Sequence, residues 1–418
     1  MDSVPDHSVE FRHSRIAVTS TFALQGMLLA ALLSALPAVR DELGATDALL
    51  AGLVGVVCCL SAAGSVVAEK VAERMNSATS LTMGLVLLVV GGLGFVFHGG
   101  IVTFMIAAVI YGVGVGAVDA SANMQAAALQ QRIGRVILAS FFAAWSAGAI
   151  IGALIVSVGE AVFSQDANSF RYSIATCVGL VVVIGLSART KFLHYGRQAE
   201  LDMDPVKVVL PWRPVVWIGV AMALYYSVDF GLSNWSPVYL HDVLLANTST
   251  AALGVAVYQI ASLVTRMTAD LWTRRFGSSA VVRAGGLVAV GGMIVLILAP
   301  NVQVGLVGLV IVGLGAPVVA PLCFSAAADL AEGEALDVLV ARLNLFNYLG
   351  TITGGVVIGS VLAVAGARVA FVIPFLGAVG VALLARAFSP KSADSSIGLG
   401  VAPLGSQRRH HEKTRAKR

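Results

Sequence analysis

Apolar residues in this chain do not alternate with polar ones; they run in uninterrupted blocks about as long as a bilayer is thick. A hydrocarbon core of roughly 30 Å is crossed by about 20 residues of α-helix. Blocks of that size lie near 16–38, 47–68, 78–98, 101–128, 137–160, 172–188, 214–239, 250–271, 280–299, 303–327, 338–364 and 367–388. They predict an all-α membrane protein of twelve transmembrane helices. The first block is span-length and leads into further spans, so it reads as a helix rather than a cleaved signal.

Composition supports this pattern. Of 418 residues 58% are hydrophobic and only 12% charged, at a mean hydropathy of +0.88. A soluble surface needs more charge than that, whereas hydrocarbon needs none. The 44 glycines suit helices that pack backbone to backbone. Cys58, Cys59, Cys177 and Cys323 all lie in apolar runs, which argues against a disulfide framework or a zinc site. With both termini cytoplasmic, the outer connections hold only Arg40, Arg171 and Arg368 of the 27 Lys and Arg. That asymmetry predicts a cytoplasmic (inner) membrane protein with this orientation. The acidic stretch Asp329, Glu332, Glu334 and Asp337 on the inner side does not overturn it, because carboxylates weigh little in the rule.

The chain also repeats itself at a spacing of about 200 residues. Pro37 with Arg40-Asp41 recurs as Pro237 with His241-Asp242, and Ala68-Glu69 as Ala269-Asp270. Gly112-x-Gly114 recurs as Gly313-x-Gly315, and Gly148-x3-Gly152 as Gly350-x3-Gly354. One register shared by four elements predicts two pseudo-symmetric six-helix bundles, 16–188 and 214–388. A cytoplasmic tail (1–15) precedes them, a charged linker (189–213) joins them and a basic tail (389–418) follows. Parallel repeats of this kind enclose a site near the membrane midplane.

These residues resemble the major facilitator superfamily, whose loop between spans two and three has the form G-x-L-A-D-R-x-G-R-R. Ser65 through Arg74 is an eroded copy that keeps Glu69, Lys70 and Arg74. Arg266 through Gly277 is a better one, with Asp270, Arg274 and Arg275. The resemblance implies that these charges latch the two halves on the inner side; ordinary solvated helix ends would look the same in sequence. LPAVRDELGATDALLAGL at 36–53, GVGVGAVDASANMQAA at 112–127 and GLGAPVVAPLCFSAA at 313–327 are similar to the YbjJ-like branch, relatives of the fucose permease. Leu36 and Phe142 depart from it, standing where that branch often has Arg and His. By that likeness Asp119, Asn123 and, just after them, Gln125 stand where the fucose permease has a Glu-x-x-x-Asn proton carrier.

Chemistry read from the residues themselves centres on Asp119 and Asp229, ionisable groups inside predicted spans. Such groups are costly unless they meet a cavity or a partner. Asp119 and Asn123 share a helix face at i and i+4. Packing against a neighbouring helix is the alternative for each carboxylate. Gln25, Tyr225, Tyr226, Asn234, Gln259, Asn344, Asn347 and Tyr348 are further polar candidates, each equally explained by a helix-to-helix hydrogen bond. The expected function is secondary active transport of a small polar or sugar-like solute by alternating access, with a proton gradient as energy source and no cofactor. Export of amphipathic compounds, and a non-transporting receptor or assembly partner on the same scaffold, are the alternatives. No span joins a nucleophile to a base or clusters metal ligands, so an enzyme is not expected. The partners expected are the solute and, at the basic tail, anionic lipid headgroups; nucleic acid is not expected, and the chain should be a monomer.

Overall fold

The computed structural model describes residues 7–133, 138–163, 168–193, 212–328, 330 and 334–388. Among them twelve helices are long and apolar enough to cross a membrane: α1 (Phe11–Ser34), α2 (Ala48–Ala72), α3 (Ser77–Val96), α4 (Ile101–Ala126), α5 (Ser140–Val162), α6 (Ser169–Lys191), α7 (Trp212–Asp242), α8 (Thr248–Ala269), α9 (Ser278–Ile297), α10 (Val302–Ala327), α11 (Leu345–Ala365) and α12 (Ala367–Phe388). Residues 194–211 of the expected linker and the whole basic tail lie outside the described residues.

The two bundles repeat in their packing. α1 lies along α5, α2 along α4 and α3 along α4; six helices later α7 lies along α11, α8 along α10 and α9 along α10. The repeated glycines are the reason. Gly148 and Gly152 of α5 sit against the Ala23 and Met27 carbonyls of α1, while Gly350 and Gly354 on the α11 helix sit against Ala223 and Ser227 of α7. Gly112 of α4 rests on Val57 and Leu60 of α2, and Gly313 of α10 on Tyr258 and Ala261 of α8. A Cβ at any of these glycines would crowd its neighbour, which is how small residues draw membrane helices together.

Proline marks the one clear departure from the expected spans. The first was expected to continue through Pro37; instead the helix stops at Ser34 and a separate short helix, Leu36–Leu43, begins with Pro37 in its first turn. Proline lacks an N–H and its ring clashes with the carbonyl four residues back, so the start of a helix is where it fits. Pro237 is instead carried inside α7, which runs on to Asp242. The turns that follow match again: Gly44 and Leu245 both take φ of 57°, and Thr46 and Asn247 cap the next helix through Leu49 N–H and Thr250 N–H.

The bundles meet along α5–α8, α2–α11 and α1–α7. Ala149 and Ala153 of α5 pack on Val255 and Ala256 of α8, and Ser249 Oγ donates to Ser157 O across the same seam at 2.8 Å.

Candidate functional site

Asp119 lies on α4, half-buried, and Gln25 of α1 is among the groups that act on its carboxylate. Gln25 Nε2 also donates to Val115 O at 3.3 Å, and Asn123 Nδ2 donates to the Asp119 backbone carbonyl at 2.9 Å. Tyr226 of α7 and Tyr348 of α11 approach from the other bundle closely enough to feel the charge of Asp119. No Lys or Arg among the described residues forms an ion pair with Asp119.

Asp229 on α7 is handled differently. Tyr258 Oη of α8 donates to its Oδ1 at 2.6 Å, and Arg266 Nη2 stands 3.9 Å from its Oδ2. Arg266 also donates to Tyr225 Oη at 2.9 Å and crosses the seam to Ser146 Oγ of α5 at 2.7 Å. A buried ion pair persists when its remaining donors and acceptors are satisfied, and these contacts supply that. One carboxylate therefore faces a fixed cation, and the other has none in ion-pair range among the described residues.

The remaining predicted residues fall into separate places. Gln125 is fully buried within the first bundle: it accepts from Leu193 N–H at 2.9 Å and donates to Leu193 O and Ser77 Oγ at 2.6 and 2.8 Å. All of those bonds lie away from Asp119. Asn347 accepts from Thr351 Oγ1 at 3.3 Å, and Gln259 donates weakly to Ser233 Oγ at 3.4 Å. Glu69, Lys70, Arg74, Arg274 and Arg275 are exposed at helix ends, without an ion pair among the described residues. Arg266, grouped with them in sequence, belongs instead to the Asp229 cluster. The side chains of Asp270 and Asn344 lie outside the described residues.

A cluster at the opposite end of the bundle was missed. The short helix Leu36–Leu43 presents Arg40, Asp41 and Glu42 in succession. Arg40 pairs with Asp242 of α7, and His241 Nε2 stands 4.0 Å from Asp41. Glu42 turns back to its own bundle, pairing with Arg171 at the start of α6, with His98 Nε2 3.6 Å away. Burial, and then the Arg171 charge, push the His98 imidazole below its ordinary value, against the pull of Glu42. The clue in the sequence was the recurrence of a base-acid dipeptide, Arg40-Asp41 and His241-Asp242, at one register in both copies. Each base meets the other copy's acid. Between this clasp and Asp119 lies a cavity of about 50 Å³ bounded by α1, α2, α4, α7 and α11, with Leu33, Val57, Phe230 and Asn234 in its wall.

The sequence profile of the Major Facilitator Superfamily matches residues 4–153 and 218–406. The chain is 29% identical over 379 residues to an uncharacterized transporter, y4wD, of Sinorhizobium fredii, covering 88% of this chain and 96% of that one. It is 25% identical over 370 residues to the membrane protein MosC of Rhizobium meliloti, covering 87% of each. Among solved structures it is similar to the nucleoside transporter NupG, with a TM-score of 0.70 at 13% identity over 91% of this chain and 99% of that one. The E. coli fucose:proton symporter FucP aligns with a TM-score of 0.60 at 19% identity over 90% and 98%. At such identities the structural likeness is one of fold. Profile, full-length relatives and twelve-span fold agree that this chain belongs to the Major Facilitator Superfamily and is a multi-pass membrane transporter, not an enzyme.

Proposed function

We propose that this protein carries a small polar, sugar-like solute across the cytoplasmic membrane by alternating access, driven by protons that bind Asp119. The orientation proposed puts both termini in the cytoplasm and the Arg40 clasp outside. The observation that carries the reading is the contrast between the two carboxylates inside the spans. Arg266 stands 3.9 Å from Asp229, whereas no Lys or Arg among the described residues pairs with Asp119. A carboxylate in hydrocarbon without a cation is costly when charged, and a proton removes that cost, so its loading state biases which face is open. With the clasp open, the exposed charges of Glu69, Lys70, Arg74, Arg274 and Arg275 at the other end supply an inner latch. Each unit of pH gradient then supports about a tenfold solute accumulation for one coupled proton.

The test is reconstitution in vesicles holding an internal pH dye, with candidate sugars, polyols and amino polyols added outside. Acidification on addition of a solute, lost in Asp119→Asn while solute exchange persists, is the expected result. Uptake that ignores the pH gradient and survives Asp119→Asn removes the coupling claim. The aliphatic wall of the central cavity favours export of amphipathic compounds as a second reading. Unchanged accumulation across a compound panel after deletion would count against that one.

A further inference from the structure

Away from the seam, the lipid-facing side of the first bundle is indented. Between α5 and α6 runs a groove of about 400 Å³, walled by Ile151, Leu154 and Val158 on one side and by Tyr172 and Thr176 on the other. Its floor is where the two helices touch: a Cβ at Gly159 would stand 2.1 Å from Ser173 Oγ, and Ser173 is buried. In the register that pairs Gly148 with Gly350 and Gly152 with Gly354, Gly159 falls on Val361, which packs against the core of the molecule. The second half thus has a side chain where the first has a floor.

The walls are turned outward, with Ile151 50%, Val158 59% and Tyr172 46% exposed. From Ile151 to Phe163 the groove follows α5 for twelve steps of helix rise, or about 18 Å. Half of a hydrocarbon core of roughly 30 Å is about 15 Å, so the groove has the depth of one leaflet. Its mouth lies at the clasp end, where the rings of Phe163 and Tyr172 stand 5.2 Å apart. Aromatic side chains gather at that level of a membrane, where hydrocarbon meets headgroups. The hydroxyls along α6 are already engaged as donors, Ser173 to the Ile155 and Ser169 carbonyls at 3.4 Å and Thr176 to Tyr172 O at 2.8 Å. No charged side chain among the described residues lines the groove. A polar ligand therefore has little to bind here, and a second copy of the chain meeting this face about a two-fold axis would set hollow against hollow.

We propose that the groove seats one acyl chain of a phospholipid from the leaflet on the clasp side. The chain lies along α5 over Gly159, and the headgroup stays above Phe163 and Tyr172. Recognition is by the length and shape of the chain, so the headgroup does not decide it. The proposal concerns a lipid bound to the outside of one bundle and is independent of which solute is carried and of whether protons drive it.

Native mass spectrometry of the purified full-length protein tests this, after exchange into detergent containing dipalmitoyl phosphatidylglycerol or dipalmitoyl phosphatidylethanolamine. With either headgroup one phospholipid per protein is expected to survive activation that strips the rest. Val158→Trp and Thr176→Phe, which fill the groove from α5 and from α6, are each expected to lose it. Val183→Trp, on an exposed position of α6 outside the groove, is expected to keep it. The dioctanoyl forms of the same lipids, whose chains fill only part of the groove, are expected to be stripped with the rest; this comparison is made on the parent protein and needs no variant. Equal retention of long and short chains overturns the proposal, as does retention that depends on the headgroup, or a parent that keeps no lipid. A filled variant that melts like the parent and still holds its lipid overturns it too, and so does a dimer, rather than a lipid, that disappears when the groove is filled.

Discussion

Arg266 and Asp229 show how much a single partner matters at the residue scale. Replacing a buried pair by apolar residues is often tolerated, but removing one member leaves an uncompensated charge and typically costs about 3–5 kcal/mol. Arg266→Leu is expected to fall in that range in thermal melting, and Arg266→Leu with Asp229→Leu to recover most of the loss; equal melting of single and double variants would show that the pair is not coupled. His98 gives a pH dependence of definite sign. Its imidazole is held below the ordinary value of 6.5 by burial and Arg171, with Glu42 opposing. The unfolded chain therefore takes up a proton near that value which the folded chain refuses until lower pH. Stability is full above 6.5 and falls as the pH drops through it. His98→Phe is expected to flatten the melting temperature between about pH 7.5 and 5.5 relative to the parent; an unchanged slope would assign the dependence to other groups.

Helices in this protein are apolar nearly all round, so they cannot be oriented by an amphipathic stripe; glycine contact does that work instead. Gly152 brings α5 onto the Met27 carbonyl, and a Cβ at Gly354 would meet Gly231 N at 2.7 Å and Phe230 Cβ at 2.8 Å. Gly152→Ala and Gly354→Ala are each expected to destabilise by about 1–3 kcal/mol, the usual cost of forcing extra volume into a packed site. Melting temperatures equal to the parent's would mean that the helices can part without loss. At this scale the sequence was most informative where it repeated itself. The 200-residue register anticipated which glycines share a role, and the packing of α1 with α5 and α7 with α11 follows it. It was least informative at Pro37, where the same residue type that α7 accommodates at Pro237 instead separates two helices.

For the whole molecule the clasp is the point at which the two halves are held by charge. Arg40→Ala is expected to release it and to raise the labelling of Cys58, which lines the cavity between the halves, by a membrane-impermeant thiol reagent in a Cys59→Ser background. The exchange Arg40→Asp with Asp242→Arg should restore protection; labelling that is the same in all three proteins would mean that other contacts keep this end shut. Residence in the membrane, twelve spans, the two-fold repeat and two carboxylates at membrane depth were all determined by sequence alone. They depend only on the length and polarity of local segments, and the helix period converts these directly into a fold. Partnership was decided only by tertiary structure. Which carboxylate would keep Arg266, that Gln125 would turn toward Leu193, and that Arg40 would reach Asp242 could not be read from the chain. The physical reason is that lipid and protein interior are equally apolar here: a helix pattern shows that a residue is out of water but not which neighbour it faces.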